Sequence, residues 1–243
     1  MSTPPLFFVE HLPAAPRFRL DGDEGRHAAR VRRVEVGEAV LVADGLGGLV
    51  DCVVTAVHAG GVELDVRDWR TLEPPDPRLV VVQALPKGDR AELAVEMMTE
   101  LGVDEIVPWA ASRSVVQWHE VRGAKALEKW RRTAREAAKQ SRRPRVPVVV
   151  EPASTADIEA RLAGSFGLVL HEDASDPLAG VELPDSGEIV IVVGPEGGVS
   201  DDELDAFGAA GARVVRMGAP VLRTSTAGAA ALAVLSARLG RWS

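Results

Sequence analysis

The chain has 243 residues, 46% of them hydrophobic, and a formal net charge of −8. That length and composition exclude a disordered polymer and allow one large domain, or a medium domain with a small one. A single cysteine, Cys52, excludes an intrachain disulfide and fits a reducing, cytoplasmic setting.

Other classes fall away quickly. The five histidines (His11, His27, His58, His119, His171) are scattered without ligand spacing, so no metal is expected. The N-terminal MSTPPLFFVEH lacks the basic and apolar regions of a signal peptide, and AGAAALAVL at 227–235 is too short to span a bilayer, so no membrane partner is expected. The negative mean charge hides an asymmetry: residues 113–145 carry eleven Lys or Arg against three Glu. A local basic field on an acidic protein points to an anionic partner steered to one face, although a solvated helix face fits as well.

Residues 1–72 read as β-rich. A short basic helical piece, RHAARVRRV, carries Arg26, Arg30, Arg32 and Arg33. EAVLVADGLGGLVDCVVTAV then places two β-branched runs around a glycine turn, a hairpin signature, and GGVELDVRDW adds a strand. This is the pattern of a small β-barrel. TLEPPDPR at 71–78 holds three prolines in eight residues and reads as a linker.

From residue 73 to 243 strands alternate with helices, which implies an α/β domain with a mostly parallel sheet. RLVVVQAL is a buried strand, and Lys87 and Arg90 follow it. RAELAVEMMTELGV is a helix with Leu93, Met97, Met98 and Leu101 at helical spacing, stopped by Gly102. DEIVPWAA is the next strand and KALEKWRRTAREAAKQS the next helix. Trp130, Ala134, Ala137 and Ala138 mark one face of that helix, and Arg131, Arg135 and Lys139 form a basic stripe that Arg142, Arg143 and Arg145 prolong. Cations spaced along one face can neutralise successive phosphates. RVPVVV, FGLVLHE, EIVIVVG and ARVVRMG are further strands, and His171 and Glu172 end the second of these. Ligands of open α/β sheets bind at such strand ends.

VVGPEGGVSDDE at 192–203 is a strand, a glycine turn and a helix start. Ser200 and Glu203 make a capping box. The turn matches neither the phosphate-binding Gly-Lys-Ser/Thr loop nor G-x-G-x-x-G. Three carboxylates in the first helical turn (Asp201, Asp202, Glu203) would repel a phosphate. The loop therefore suits an uncharged or cationic ligand, or is a plain structural turn. The last helix follows LRTSTA, with hydroxyls where N-caps occur, and its Ala and Gly content suits close packing under a loop or across a dimer interface. Arg223 stands out, because an Arg in such a turn needs an anionic or π partner.

Four motifs in order, ALPKGDRAELAVEMMTELGVDEIVPWAASRSV, REAAKQSRRPRVP, VVGPEGGVSDDEL and VLRTSTA, resemble the RsmE family of 16S rRNA uracil-N3 methyltransferases of the SPOUT class. The likeness runs nearly end to end. It implies a PUA-like β-barrel over 1–72, a knotted SPOUT methyltransferase domain over 73–243, a homodimer, and S-adenosylmethionine as cofactor. It implies methylation of N3 of one uridine near the 3′ end of the small-subunit rRNA. Carried onto this chain, the cofactor pocket would comprise Leu170 and His171; Gly194, Pro195, Glu196, Gly197 and Gly198; Met217 and Gly218; and Val221, Leu222, Thr224, Ser225 and Thr226. Arg223 would act on the reacting uracil. RNA would meet Arg26, Arg30, Arg32, Arg33, Lys87, Arg113, Arg131, Arg135, Lys139, Arg142 and Arg143.

One position departs. The family's last motif reads Leu-Arg-x-Glu-Thr-Ala, and Ser225 stands at the Glu position. A serine cannot act as a carboxylate base, which leaves Glu196 and His171 as candidate proton acceptors. Two alternatives stay open: an RNA-binding assembly factor without catalysis, and a knotted methyltransferase acting on another RNA.

Overall fold

The computed structural model describes residues 3–88 and 90–242. Of these, the residues up to Pro74 together with Ala138–Val146 form one compact unit; Pro75–Ala137 and the residues from Pro147 onward form the other. This division differs from a cut after residue 72. Ala138 and Val146 are apolar and join a small cluster with Leu6, Phe8, Ala43 and Leu49.

The first unit is a five-stranded sheet ordered β1-β3-β4-β5-β2, from β1 (Leu6–Phe8), β2 (Arg17–Leu20), β3 (Ala39–Ala43), β4 (Gly48–His58) and β5 (Gly61–Thr71). All pairings are antiparallel except β1 with β3. Val50, Cys52 and Val54 alternate inward along β4 and bury one face against Phe7, Leu20 and Leu64. Two register shifts in the β4–β5 ladder bend the sheet around that core. Burial pushes the Cys52 thiol up to about 12, so it packs as an inert apolar group. The expected basic helix is two pieces, α1 (Gly22–Arg26) and a π-helical stretch His27–Arg32, ended by Arg33 in left-handed conformation at φ 53°.

The second unit is a seven-stranded sheet ordered β10-β12-β9-β11-β6-β7-β8, parallel throughout. Its strands are β6 (Arg78–Ala84), β7 (Glu105–Trp109), β8 (Val148–Val149), β9 (Phe166–Leu170), β10 (Asp176–Pro177), β11 (Glu188–Val193) and β12 (Arg213–Arg216). Leu79–Val82 and Ile189–Val192 are fully buried, as strands covered on both faces must be. The helices are α2 (Arg90–Glu100), α3 (Glu120–Gln140), α4 (Thr155–Leu162), α5 (Asp201–Ala209) and α6 (Thr224–Arg238).

Three details correct the sequence expectation. Helix α2 buries Ala94, Val95, Met98 and Thr99 and leaves Leu93 exposed. The cause is α6: a Cβ at Gly228 would sit 3.0 Å from Met98 Sδ, so small residues let the two helices close. The Ala/Gly content of α6 thus serves packing within the chain, on α2, β6 and β11. Its N-cap is Arg223, without a side-chain cap bond, and the three hydroxyls lie inside the first turn.

The N-terminal edge of this sheet carries an ion network. Arg161 pairs with Glu188 at 2.7 Å and also with Glu105, which Arg78 meets at 2.9 Å. Burial raises the Glu105 pKa, but the two guanidinium groups more than offset it and hold the carboxyl below its ordinary value. This network lies at the N-terminal ends of the strands, opposite the C-terminal ends where ligands of such sheets bind.

Candidate functional site

At the C-terminal ends of three adjacent strands, β12, β9 and β11, the chain turns outward in three loops. They meet around a cavity of about 620 Å³, a size suited to a nucleoside-like molecule. The loop after β9 supplies Leu170, His171, Glu172 and Asp173. The loop after β11 supplies Gly194–Gly198 and Val199. The loop after β12 supplies Met217, Gly218 and Pro220–Arg223, and α6 adds Thr224, Ser225 and Ala227.

The structure thus gathers all but one of the residues assigned to a cofactor pocket. The exception is Thr226, which is exposed and does not line the cavity. Arg223 lines the same cavity. Residues that sequence patterns did not single out for it also contribute: Arg90, Arg216, Asp173 and Asp201, with Glu172 beside them. Four guanidinium groups and four carboxylates therefore share one cavity with an apolar wall of Leu170, Met217, Val221 and Leu222. This mixed set fits a zwitterion with an apolar body better than a simple polyanion.

The glycine loop is held from below. Gly198 N–H donates to the Pro195 carbonyl at 2.9 Å, closing a tight turn, and Gly198 sits at φ +76° with open space where a Cβ would lie. Gly194 has no such room: a Cβ would meet Val199 at 2.7 Å. Glu196 accepts the Lys87 backbone N–H at 3.1 Å, which ties the loop after β6 to it.

The acidic helix start divides by role. Asp201 faces the cavity. Glu203 is only 4% exposed and turns inward as the capping-box partner of Ser200. Burial raises its pKa, but hydrogen bonds from Ser112 and Ser200 outweigh that and leave the carboxyl below its ordinary value. Only one of the three carboxylates therefore bears on a ligand in the cavity.

His171 Nδ1 accepts the Asp173 backbone N–H at 3.2 Å. That bond assigns the ring proton of the neutral imidazole to Nε2. The acceptor nitrogen is already engaged, so His171 is poorly placed to take up a substrate proton. Glu196 uses one carboxylate oxygen on Lys87 and is otherwise exposed at the cavity.

The residues expected to meet RNA are distributed unevenly. In the first unit Arg26, Arg30, Arg32, Arg33 and Arg142 are exposed; Arg26 pairs with Asp23 and Arg30 donates to the Ala59 carbonyl at 2.9 Å. Arg143 is half-buried. Lys139 is the clearest correction. It is 10% exposed, pairs with Glu24 at 2.8 Å and lies 5.8 Å from the Phe7 ring centroid, so it belongs to the interior and not to an open basic stripe. In the second unit Arg131 is bound by Glu128 and Glu151, Arg135 and Lys87 are exposed, and Arg113 lines the cavity. Among the described residues no group of His, Cys, Asp and Glu could hold a metal, and no helix is long and apolar enough to cross a membrane.

Comparison with known proteins places these observations in a family. A model described as "RNA methyltransferase domain" matches residues 73–236, and one described as "RNA methyltransferase PUA domain" matches residues 20–67. The chain is 45% identical to the ribosomal RNA small subunit methyltransferase E of Mycobacterium bovis, over 98% of this chain and 93% of that one. It is 29% identical to the protein of the same name from Bacillus subtilis, over 95% of each. Among solved structures, the ribosomal RNA small subunit methyltransferase E from Neisseria gonorrhoeae bound to S-adenosyl methionine superposes with a TM-score of 0.83 at 27% identity, covering 97% of this chain and 98% of that one.

Proposed function

The chain belongs to the ribosomal RNA small subunit methyltransferase E family, and from that premise we propose that it methylates N3 of one uridine in 16S rRNA within the small ribosomal subunit. It is an RNA methyltransferase whose cofactor is S-adenosylmethionine. The observation that carries the reading is the convergence of the three loops after β9, β11 and β12 on one cavity that also contains Arg223.

When bound, S-adenosylmethionine supplies an electrophilic methyl group on a sulfonium centre. The residues that would hold it are the glycine loop 194–198, Leu170, Met217, Gly218 and the 221–225 segment. The apolar wall suits the adenosine, and Glu172, Asp173, Glu196 and Asp201 suit the cationic groups. The chain's own task is to orient the uracil for in-line attack and to manage the N3 proton. N3 is a weak nucleophile while protonated. Arg223 stabilises the negative charge that develops on a uracil oxygen as the proton leaves. Glu196 accepts that proton, since His171 Nδ1 is engaged by Asp173. Ser225 lines the cavity at 4% exposure and helps shape the wall there, without any role as a base.

Further parts of the proposal rest on the same footing. The PUA-like unit binds RNA through Arg26, Arg30, Arg32, Arg33, Arg142 and Arg143, and Arg135 and Lys87 add contacts from the second unit. The protein works in the cytoplasm as a homodimer; the family membership supports this part of the reading. A knotted crossing of the chain after β12 belongs to the same reading, and what supports it is the family membership. A single-stranded or splayed uridine is the expected substrate form, because N3 is hidden inside a base pair.

The test is methyl transfer from labelled S-adenosylmethionine to unmodified small subunits and to naked rRNA, with mass spectrometry of the nucleosides. N3-methyluridine at one site is the expected product. Label in another nucleoside would overturn the substrate. Binding of rRNA without any label would favour the assembly-factor reading, which the serine at position 225 supports.

A further inference from the structure

Glu203 does more than cap a helix. Its Oε2 accepts from Ser200 N at 3.0 Å and Ser200 Oγ at 2.9 Å, which completes the capping box. Its Oε1 reaches elsewhere: it accepts from the Ser112 backbone N–H at 2.7 Å and from Thr155 Oγ1 at 3.5 Å. Ser112 lies in the turn after β7, far away in sequence. A cap needs only the first set of bonds and is usually solvent-exposed. Burying a carboxylate to 4% exposure costs free energy unless its oxygens are filled, so the second set marks a further task.

The surroundings show what is held. Ser112 Oγ donates to Ser200 Oγ at 3.1 Å. The next residue, Arg113, donates from Nη1 to the Val199 carbonyl at 3.4 Å and lines the cavity. A Cβ at Gly197 would sit 3.1 Å from both Arg113 Cβ and Arg113 O, so the turn after β7 lies directly on the glycine loop. One buried carboxylate thus joins two loops, and the side chain it brings to the cavity is a guanidinium.

We propose that Glu203 is a positioning residue: it latches the 110–114 turn onto the glycine loop and so sets Arg113 at the cavity wall, where its guanidinium receives an oxygen of the RNA substrate. This rests on the reading of the protein as an rRNA methyltransferase. The latch touches the cofactor cavity through the glycine loop alone; the loops after β9 and β12 and the start of α6 stand without it, so its loss should weaken RNA engagement more than cofactor binding.

The test is a double-mutant cycle in the full-length protein, read as affinity for unmodified small subunits and as KM and kcat for methyl transfer. Glu203→Gln offers one acceptor oxygen, so it cannot serve both cap and latch. Ser112→Pro removes the latch N–H together with the Ser112 Oγ–Ser200 Oγ bond, both on the turn's side of the latch, and keeps the proposal testable should Glu203→Gln fail to fold. Arg113→Ala should weaken RNA binding roughly tenfold, as loss of one charge-assisted contact does. Each latch variant should weaken it about threefold or more alone and add nothing once Arg113 is Ala, the signature of residues acting through one another. S-adenosylmethionine affinity should fall by a smaller factor than RNA affinity in each of these variants.

Equal losses from the latch variants with and without Arg113 would make Glu203 merely structural and overturn the proposal. So would a loss confined to cofactor affinity, or no loss of RNA affinity at all. A wild-type protein that transfers no methyl group would instead sink the functional reading; the binding cycle needs no turnover and still decides the latch.

Discussion

Two glycine turns in this chain have nearly the same composition and opposite uses. The first, Asp44-Gly-Leu-Gly-Gly48, joins β3 to β4. Its aspartate saturates it from within: Asp44 Oδ1 accepts Leu46 N–H at 2.7 Å and Gly48 N–H at 3.0 Å. Gly47 is packed shut, for a Cβ there would lie 2.2 Å from Arg145 Nη2 and 2.7 Å from the Leu72 carbonyl. The second, Gly194-Pro-Glu-Gly-Gly198, joins β11 to α5. Its supporting carboxylate, Glu203, stands outside the turn, and Gly198 faces open space. A turn whose polar groups are met by its own side chain closes a hairpin. A turn braced from behind keeps its outer face for a ligand.

That contrast can be broken by substitution. The largest effect belongs to the open side. Arg223→Ala should lower kcat by about 10²–10³, the usual loss when a donor to developing negative charge is removed. Its affinity for S-adenosylmethionine should hardly change; parallel loss of both in kinetics and titration calorimetry would make Arg223 a structural residue.

Gly47→Ala comes next. With φ at +109° and no room for a methyl group, it should cost about 2–4 kcal/mol in urea unfolding while leaving cofactor affinity of the folded protein intact. Gly198→Ala should reverse that pattern. The space is open, so stability should fall by only about 1–2 kcal/mol for the left-handed backbone. The methyl group enters the cavity, and S-adenosylmethionine should bind more weakly. If both substitutions acted on stability alone, the two turns would not differ in kind.

The smallest effect is in pH. Glu203 and Glu105 both have folded pKa values below the ordinary carboxylate value. Their contribution is complete above that ordinary value, about 4.3, and is lost as pH falls through the lower folded values. Thermal stability should therefore hold down to the ordinary carboxylate value and drop below it. A Glu105→Gln protein should show a shallower drop; an unchanged slope would remove Glu105 from the account.

How much of this was legible beforehand depended on range. Continuous apolar runs such as EIVIVV announced buried parallel strands, and Ser200 with Glu203 announced the start of α5, because both signals are local. Helix α4 has no clear sequence signal although Ser154 and Asp157 form the same capping box, since eight residues give the periodicity little room. The two-residue strand β10 left no pattern at all. Arg90 and Arg216 joined the cavity only because strand order brings distant loops together, which no spacing encodes. Lys139 reads as part of an RNA-facing basic stripe because its partner, Glu24, lies 115 residues away in sequence.

The most direct test of the central claim is amide hydrogen exchange with and without S-adenosylmethionine. Protection should rise in the loops at 170–173, 194–199 and 217–225 and stay unchanged in the Asp44–Gly48 turn. Protection in the first turn, or none in those three loops, would contradict the assignment of the braced glycine turn as the cofactor loop.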